Sequence, residues 1–214
     1  MRKILAVLLT LCLIAVLGAC SGNAPEKTED KDNGSKEQAE APVDETDEAD
    51  KTEAGESGKT LVVYFSCTGT TKGVAEKIAK ITGGDLYEIK AAKEYTDDDR
   101  NWHDDNSRTT IEQNDKSARP EIGSDPVSLD GYETIYIGFP IWWGEEPRIM
   151  DTFVESCDFD GKTVIPFCTS GGSSIGNSGK NLEENAGSGK WLDGERFDSN
   201  TTEDELKTWI EGSK

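Results

Sequence analysis

Three short stretches of this 214-residue chain carry side chains suited to holding a small ligand. Ser66-Cys67-Thr68-Gly69-Thr70-Thr71 places four hydroxyls in six residues, with a glycine where the backbone must close. At a helix N-terminus such hydroxyls join unpaired backbone N–H groups and a positive dipole end, a setting that suits phosphate. No Gly-Lys-Ser/Thr follows and no GxGxxG is present, which disfavours a nucleoside-triphosphate loop and a dinucleotide turn. The stretch Gly138-Phe139-Pro140-Ile141-Trp142-Trp143-Gly144-Glu145-Glu146-Pro147 carries two adjacent tryptophans. Tryptophan is costly to leave in water, so each is either covered by the core or stacked on a flat aromatic ligand. The third, Cys168-Thr169-Ser170-Gly171-Gly172-Ser173-Ser174-Ile175-Gly176, is small and flexible enough to bring backbone amides against a ring edge.

Other chemistry is sparse. His103 is the only histidine, lies in a polar stretch and reads as a solvated loop residue; no CxxC spacing exists, so no metal site is expected. Apart from Cys12 and Cys20, the cysteines are Cys67, Cys157 and Cys168, an odd number that implies at least one free thiol or an intermolecular bridge. The net charge is −20; residues 59–214 alone hold 30 acidic and 17 basic residues, −13. That balance repels phosphodiester backbones and argues against nucleic acid as a partner.

The elements that must position these loops follow from periodicity. Leu61–Phe65 is an apolar run of β-forming residues, as in a strand buried on both faces. Val74, Ile78 and Ile81, with Ala75 and Ala79, recur at helical spacing over 72–81, and Gly83-Gly84 ends the helix. Asp85–Ile89 is a second strand, completing a βαβ unit. Residues 90–132 are polar and yield no element, with Trp102 and Ile111 their apolar anchors. Thr134–Gly138 reads as a third strand, 147–156 as a helix carrying Ile149, Met150, Phe153 and Val154, and Thr163–Cys168 as a fourth strand. A weak fifth strand falls within 190–197, and Thr202–Glu205 is a capping box opening a last helix with Leu206, Trp209 and Ile210. This alternation predicts an α/β fold, a doubly wound five-stranded parallel sheet. All three loops then leave carboxyl ends of strands, where open α/β sheets bind ligands.

The N-terminus reads separately. Arg2 and Lys3 precede an apolar run, Ile4–Leu17, too short to span a membrane and closed by Leu17-Gly18-Ala19-Cys20. The cysteine after Leu-Gly-Ala resembles the lipobox of bacterial lipoproteins, which implies a signal peptide over 1–19, lipidation of Cys20, and an extracytoplasmic location on the bacterial membrane. Residues 20–58 are acidic, with Val43 the only large apolar side chain, and are expected to form a disordered tether. Residues 59–214 form the folded domain.

Within that domain, Val63–Thr71 resembles the phosphate loop of flavodoxins, commonly (S/T)-x-T-G-x-T, and Gly138–Pro147 and Phe167–Gly176 resemble their two ring-flanking loops. The resemblance implies the flavodoxin-like fold with strand order 2-1-3-4-5 and FMN as cofactor. It assigns Ser66, Thr68, Gly69, Thr70 and Thr71 to the FMN phosphate. Pro140, Ile141, Trp142, Trp143 and Gly144 would line one ring face, and Ser170, Gly171, Gly172 and Ser173 the ring edge. Thr70 stands where many members have asparagine, and Cys67 has no assigned role. Trp102, Asn106 and Arg108 fall where this branch of the family carries an insertion near the flavin. No catalytic nucleophile, acid or base is evident at the loops, so an electron carrier serving a redox partner protein or small-molecule acceptor is expected. An FMN-dependent reductase of quinones or other small acceptors is the alternative, and a flavin-free interaction module a third. Glu145 and Glu146, beside the ring loop of an acidic domain, predict a low potential for the second electron.

Overall fold

Five consecutive buried residues, Leu61–Phe65, make up most of β1 (Lys59–Phe65), because both faces of this strand meet a layer of helices. A computed structural model describes residues 58–213; the leader, Cys20 and the acidic tether lie outside the described residues. After β1 the chain forms α1 (Thr70–Thr82), β2 (Asp85–Ile89), a short α2 (Arg108–Asn114), β3 (Tyr132–Pro140), α3 (Arg148–Glu155) and β4 (Thr163–Thr169). Then come α4 (Ser178–Ala186), two short strands β5 (Lys190–Trp191) and β6 (Glu195–Phe197), and α5 (Glu203–Gly212).

Among the described residues the strands of the sheet all pair parallel, in the order β2-β1-β3-β4-β5, as the family resemblance implied. The fifth position is divided: β5 pairs with Thr163 and Val164, and β6 with Phe167–Thr169 of the same strand. Pro166 explains the gap. Leu192 donates its N–H to Val164 O at 2.9 Å, and alternate residues of a strand face the same neighbour, so Pro166, with no N–H, faces the break.

Alternation in the strands divides the core in two. Leu61, Val63, Phe65, Ile135, Ile137 and Phe139 face α3 and α4, burying Ile149, Met150, Phe153, Val154 and Leu182. Val62, Tyr64, Tyr136, Ile165 and Phe167 face α1 and α5, burying Val74, Ile78, Leu206 and Ile210. Thr202 and Glu205 make the expected reciprocal capping box on α5.

The polar connection between β2 and β3 is an ordered excursion. Its base is closed by an antiparallel bridge of Ala91 with Ile122, with Ala92 N–H to Glu121 O at 2.9 Å and Gly123 N–H to Lys90 O at 2.7 Å. Inside it, Ser107 caps α2 by accepting the Thr110 N–H at 3.3 Å. This helix buries Thr109, Thr110 and Gln113 and exposes Ile111, so it shows no apolar stripe.

Candidate functional site

The first loop leaves the end of β1 and turns into α1 at Gly69, which adopts the left-handed conformation (φ 87°). Gly69 donates its N–H to Ser66 Oγ at 3.1 Å, and Thr68 and Thr70 hydroxyls stand 3.5 Å apart on the exposed side. Among the described residues no side chain caps α1, so its first-turn amides are open to water or a ligand, and its first helical bond is Gly73 N–H to Gly69 O at 2.9 Å. Thr71 differs from its neighbours. It is buried, and its hydroxyl meets that of Thr169, at the end of β4, at 2.7 Å. The donor set of hydroxyls and backbone amides fits a phosphate without demanding a cluster of arginines.

The second loop separates its two tryptophans. Trp142 is half-buried and meets Phe65 and Tyr95 edge to face, with ring centroids 5.6 and 5.1 Å apart. Trp142 and Glu145 exchange both backbone hydrogen bonds, at 2.9 and 3.1 Å. Trp143 (φ 50°) and Gly144 (φ 83°) lie between them, a type I′ turn that favours Asn-Gly. Trp143 is thus a bulky side chain in the left-handed region, and 41 % of it is exposed. Gly144 O lies 3.6 Å from where a Cβ on Gly176 would sit, so the second and third loops run side by side.

In the third loop Gly171, Gly172 and Ser173 are exposed. Ser170 closes it from within: its N–H bonds Phe197 O at 3.2 Å, its hydroxyl donates to Ser173 O, and its Oγ accepts from Gly172 N–H at 3.2 Å. All fourteen loop residues assigned from the family resemblance therefore sit at the carboxyl ends of β1, β3 and β4. Pro140 ends β3, and Ile141 bonds through its N–H to Thr169 O at 3.0 Å.

Glu145 and Glu146 do not stand as two free negative charges. Arg148 Nη2 donates to Glu145 at 2.8 Å, and its Nη1 lies 3.5 Å from Glu146 and 3.4 Å from Asp151. Glu146 is fully buried, with Asn181 Nδ2 at 3.2 and 3.3 Å, and burial raises its pKa above the usual carboxylate value. Burial also raises that of Asp151, against the pull of Arg148.

The excursion after β2 supplies residues that periodicity alone does not single out. Tyr95 is buried against Phe65 and Trp142, its hydroxyl donating to Glu112 at 2.8 Å. Arg108 lies 3.9 Å over the Tyr95 ring, and its Nε donates to the other Glu112 oxygen at 2.7 Å. Gln113 reaches the second loop directly. Trp102 is exposed and tilted against His103, with centroids 3.4 Å apart and the rings 35° from parallel, and Asn106 is exposed beside Asp104. A cleft of about 370 Å³ opens beside the first loop, lined by Phe65, Ser66, Cys67, Lys90, Glu94 and Tyr95 among others. Burial pushes the Cys67 thiol up to about 11 despite Arg100 and Arg108 nearby, which favours the protonated thiol at neutral pH.

A doubly wound parallel sheet with three loops gathered at the carboxyl ends of its strands defines an open-sheet α/β protein, the class whose ligands sit at that end. Residues 59–213 match the family described as flavodoxin, and the chain belongs to that family. A candidate flavoprotein from Bacteroides uniformis is 50% identical, with TM-score 0.69 over 72% of this chain and 98% of that one. Another from Bacteroides eggerthii is 43% identical, with TM-score 0.69 over 73% and 98%. A flavoprotein from Lactobacillus acidophilus, solved in complex with FMN, is 26% identical, with TM-score 0.54 over 72% and 99%. No curated protein matches the chain.

Proposed function

We propose that this protein is an FMN-binding electron carrier, exported and held outside the cytoplasmic membrane by lipid on Cys20. The observation that carries the flavin reading is the convergence of three loops on one end of the sheet. The first offers hydroxyls and uncapped amides, the second an exposed indole at Trp143, the third a row of small residues. The FMN complex of the Lactobacillus relative supports the same cofactor.

Ser66, Thr68 and Thr70, with the α1 amides, bind the phosphate; Thr71 holds the loop to β4 through Thr169. Trp143 covers one face of the ring, and Gly171–Ser173 meet its edge. FMN, once bound, supplies the redox chemistry. The chain's own residues orient it and set the field around it, which is acidic over the domain as a whole. No step of single-electron transfer needs a nucleophile or general base, and the loops carry neither.

Two measurements test this. Purified protein is expected to be yellow, with a bound-FMN spectrum and tighter binding of FMN than of riboflavin; colourless protein that takes up neither flavin sinks the reading. Mass spectrometry of the mature N-terminus is expected to find acyl chains on Cys20, and an unmodified cysteine rules out the anchor. The cleft beside Ser66 and Cys67 favours a second reading, an FMN-dependent reductase of quinones or other small acceptors. Sustained NAD(P)H oxidation by the purified protein with an added quinone would establish it.

A further inference from the structure

The turn that presents Trp143 is held from the excursion after β2, by a residue with no part in the contacts assigned to flavin. Gln113, in the last turn of α2, is buried, and its Nε2 donates to the Trp142 carbonyl at 2.9 Å and the Glu146 carbonyl at 3.1 Å. One amide group therefore spans the turn from the residue before Trp143 to the residue after Glu145. Gln113 is itself anchored, because its main-chain carbonyl accepts from Arg148 Nη2 at 3.3 Å and the same nitrogen donates to Glu145 at 2.8 Å. The hairpin closed by this turn is a single bridge, Trp142 with Glu145, and no longer ladder follows to hold it. A tryptophan at φ 50° is disfavoured, and such a conformation persists only where its surroundings over-determine it.

We propose that Gln113 is the positioning residue of the ring-stacking loop. By bridging the Trp142 and Glu146 carbonyls it stands in for the missing ladder and holds Trp143 left-handed, with its indole outward, before the flavin binds. Preorganisation of this kind strengthens binding by removing the cost of ordering the loop. The inference rests on the flavin reading above.

A double-mutant cycle separates this role from a general contribution to folding. FMN and riboflavin affinities are measured by flavin fluorescence quenching for the full chain, Gln113→Met, Gln113→Glu, Trp143→Gly, and Gln113→Met with Trp143→Gly. Gln113→Met keeps length and volume but loses both hydrogen bonds, so it is expected to weaken both flavins about tenfold and by the same factor, the ring being common to them. In the Trp143→Gly background, where the turn is unstrained and the indole gone, the same substitution is expected to change affinity by less than about twofold. Gln113→Glu keeps the shape and, once ionised at higher pH, lacks the donor, so its affinity measured across pH carries the comparison should the methionine variant fail to fold. Unchanged affinity in the single variants overturns the proposal. So does a loss of equal size without Trp143, or a loss confined to FMN, which would locate the effect at the phosphate. Wild-type protein that binds neither flavin overturns the flavin reading and this inference together, an outcome distinct from binding that ignores Gln113.

Discussion

The hydroxyls of Thr71 and Thr169 meet at 2.7 Å in a buried contact between residues 98 apart in sequence. This bond joins the start of α1 to the end of β4, so the two loops that flank the candidate cofactor are tied below it. Replacing either residue with valine leaves the other hydroxyl buried and unpaired, at a cost of about 1–3 kcal/mol. The double variant is expected to lose less than the sum of the singles, because no orphan remains. Urea unfolding of the four proteins checks this, and strict additivity would refute the coupling.

Thr70 and Thr71 are adjacent but do different things. Thr70 faces the exposed side with Thr68, whereas Thr71 is occupied by Thr169. Thr70→Ala is expected to weaken FMN by about 1 kcal/mol, roughly fivefold, and to leave riboflavin unchanged, since only FMN carries the phosphate. Paired titrations with both flavins decide the matter; equal losses would place Thr70 away from the phosphate.

The two tryptophans should separate cleanly. Trp142→Ala removes a half-buried indole from the Phe65–Tyr95 cluster and is expected to cost about 3 kcal/mol or more of stability. Trp143→Asn restores a favoured type I′ residue, relieving about 1–2 kcal/mol of left-handed strain against the loss of partly covered surface. It is expected to leave thermal stability unchanged or higher while weakening flavin binding. A large drop in stability for Trp143→Asn would show that the indole is structural.

Arg148 is nearly fully buried and faces three carboxylates, Glu145, Glu146 and Asp151. Arg148→Met strands these acids without their cation, and buried pairs broken in this way cost about 3–5 kcal/mol. Chemical denaturation at neutral pH measures the loss, and a change under about 1 kcal/mol would mean that solvent already screens the cluster.

Glu146 gives the same cluster a pH signature. Burial raises its folded-state pKa, so between the ordinary carboxylate pKa and that raised value the folded protein holds a proton that the unfolded chain has released. Stability contributed at this site therefore falls as pH rises through that window and is recovered at lower pH. Glu146→Gln removes this residue's share of the dependence and leaves that of Asp151, so the variant is expected to gain on the wild type as pH rises from the ordinary carboxylate range toward neutrality. Unfolding series across pH that run parallel for the two proteins would refute the assignment.

Regular elements were legible in proportion to the apolar pattern that drives them. Leu61–Phe65 and Ile135–Ile137 announce buried strands, and Val74, Ile78 and Ile81 a one-sided helix, because burial on a fixed face requires apolar side chains at a fixed period. α2 escaped for the converse reason: it buries threonines and a glutamine through hydrogen bonds and turns Ile111 outward. Its one local mark is Ser107, a residue type suited to a helix N-cap, which by itself also suits a turn. Likewise a proline within a strand lacks one N–H wherever it falls, but only the pairing of β4 with β5 and β6 reveals which neighbour goes without it.

By itself the sequence determined the α/β class, the four main strands with the helices α1, α3 and α5, and the three loops from which a phosphate and a ring could be held; α4, which buries Leu182, carries too little apolar pattern to be read. Those follow from local rules, since periodicity, turn residues and helix termini act over a few residues at a time. Tertiary structure alone decided that Thr71 is spent on Thr169, that Trp142 is packed while Trp143 is presented, and that Glu145 and Glu146 are met by Arg148. It also brought Gln113 to the ring loop, 29 residues along the chain from Trp142. These are pairings between distant segments, and no local rule can say which of several hydroxyls, indoles or carboxylates will find a partner when the sheet closes.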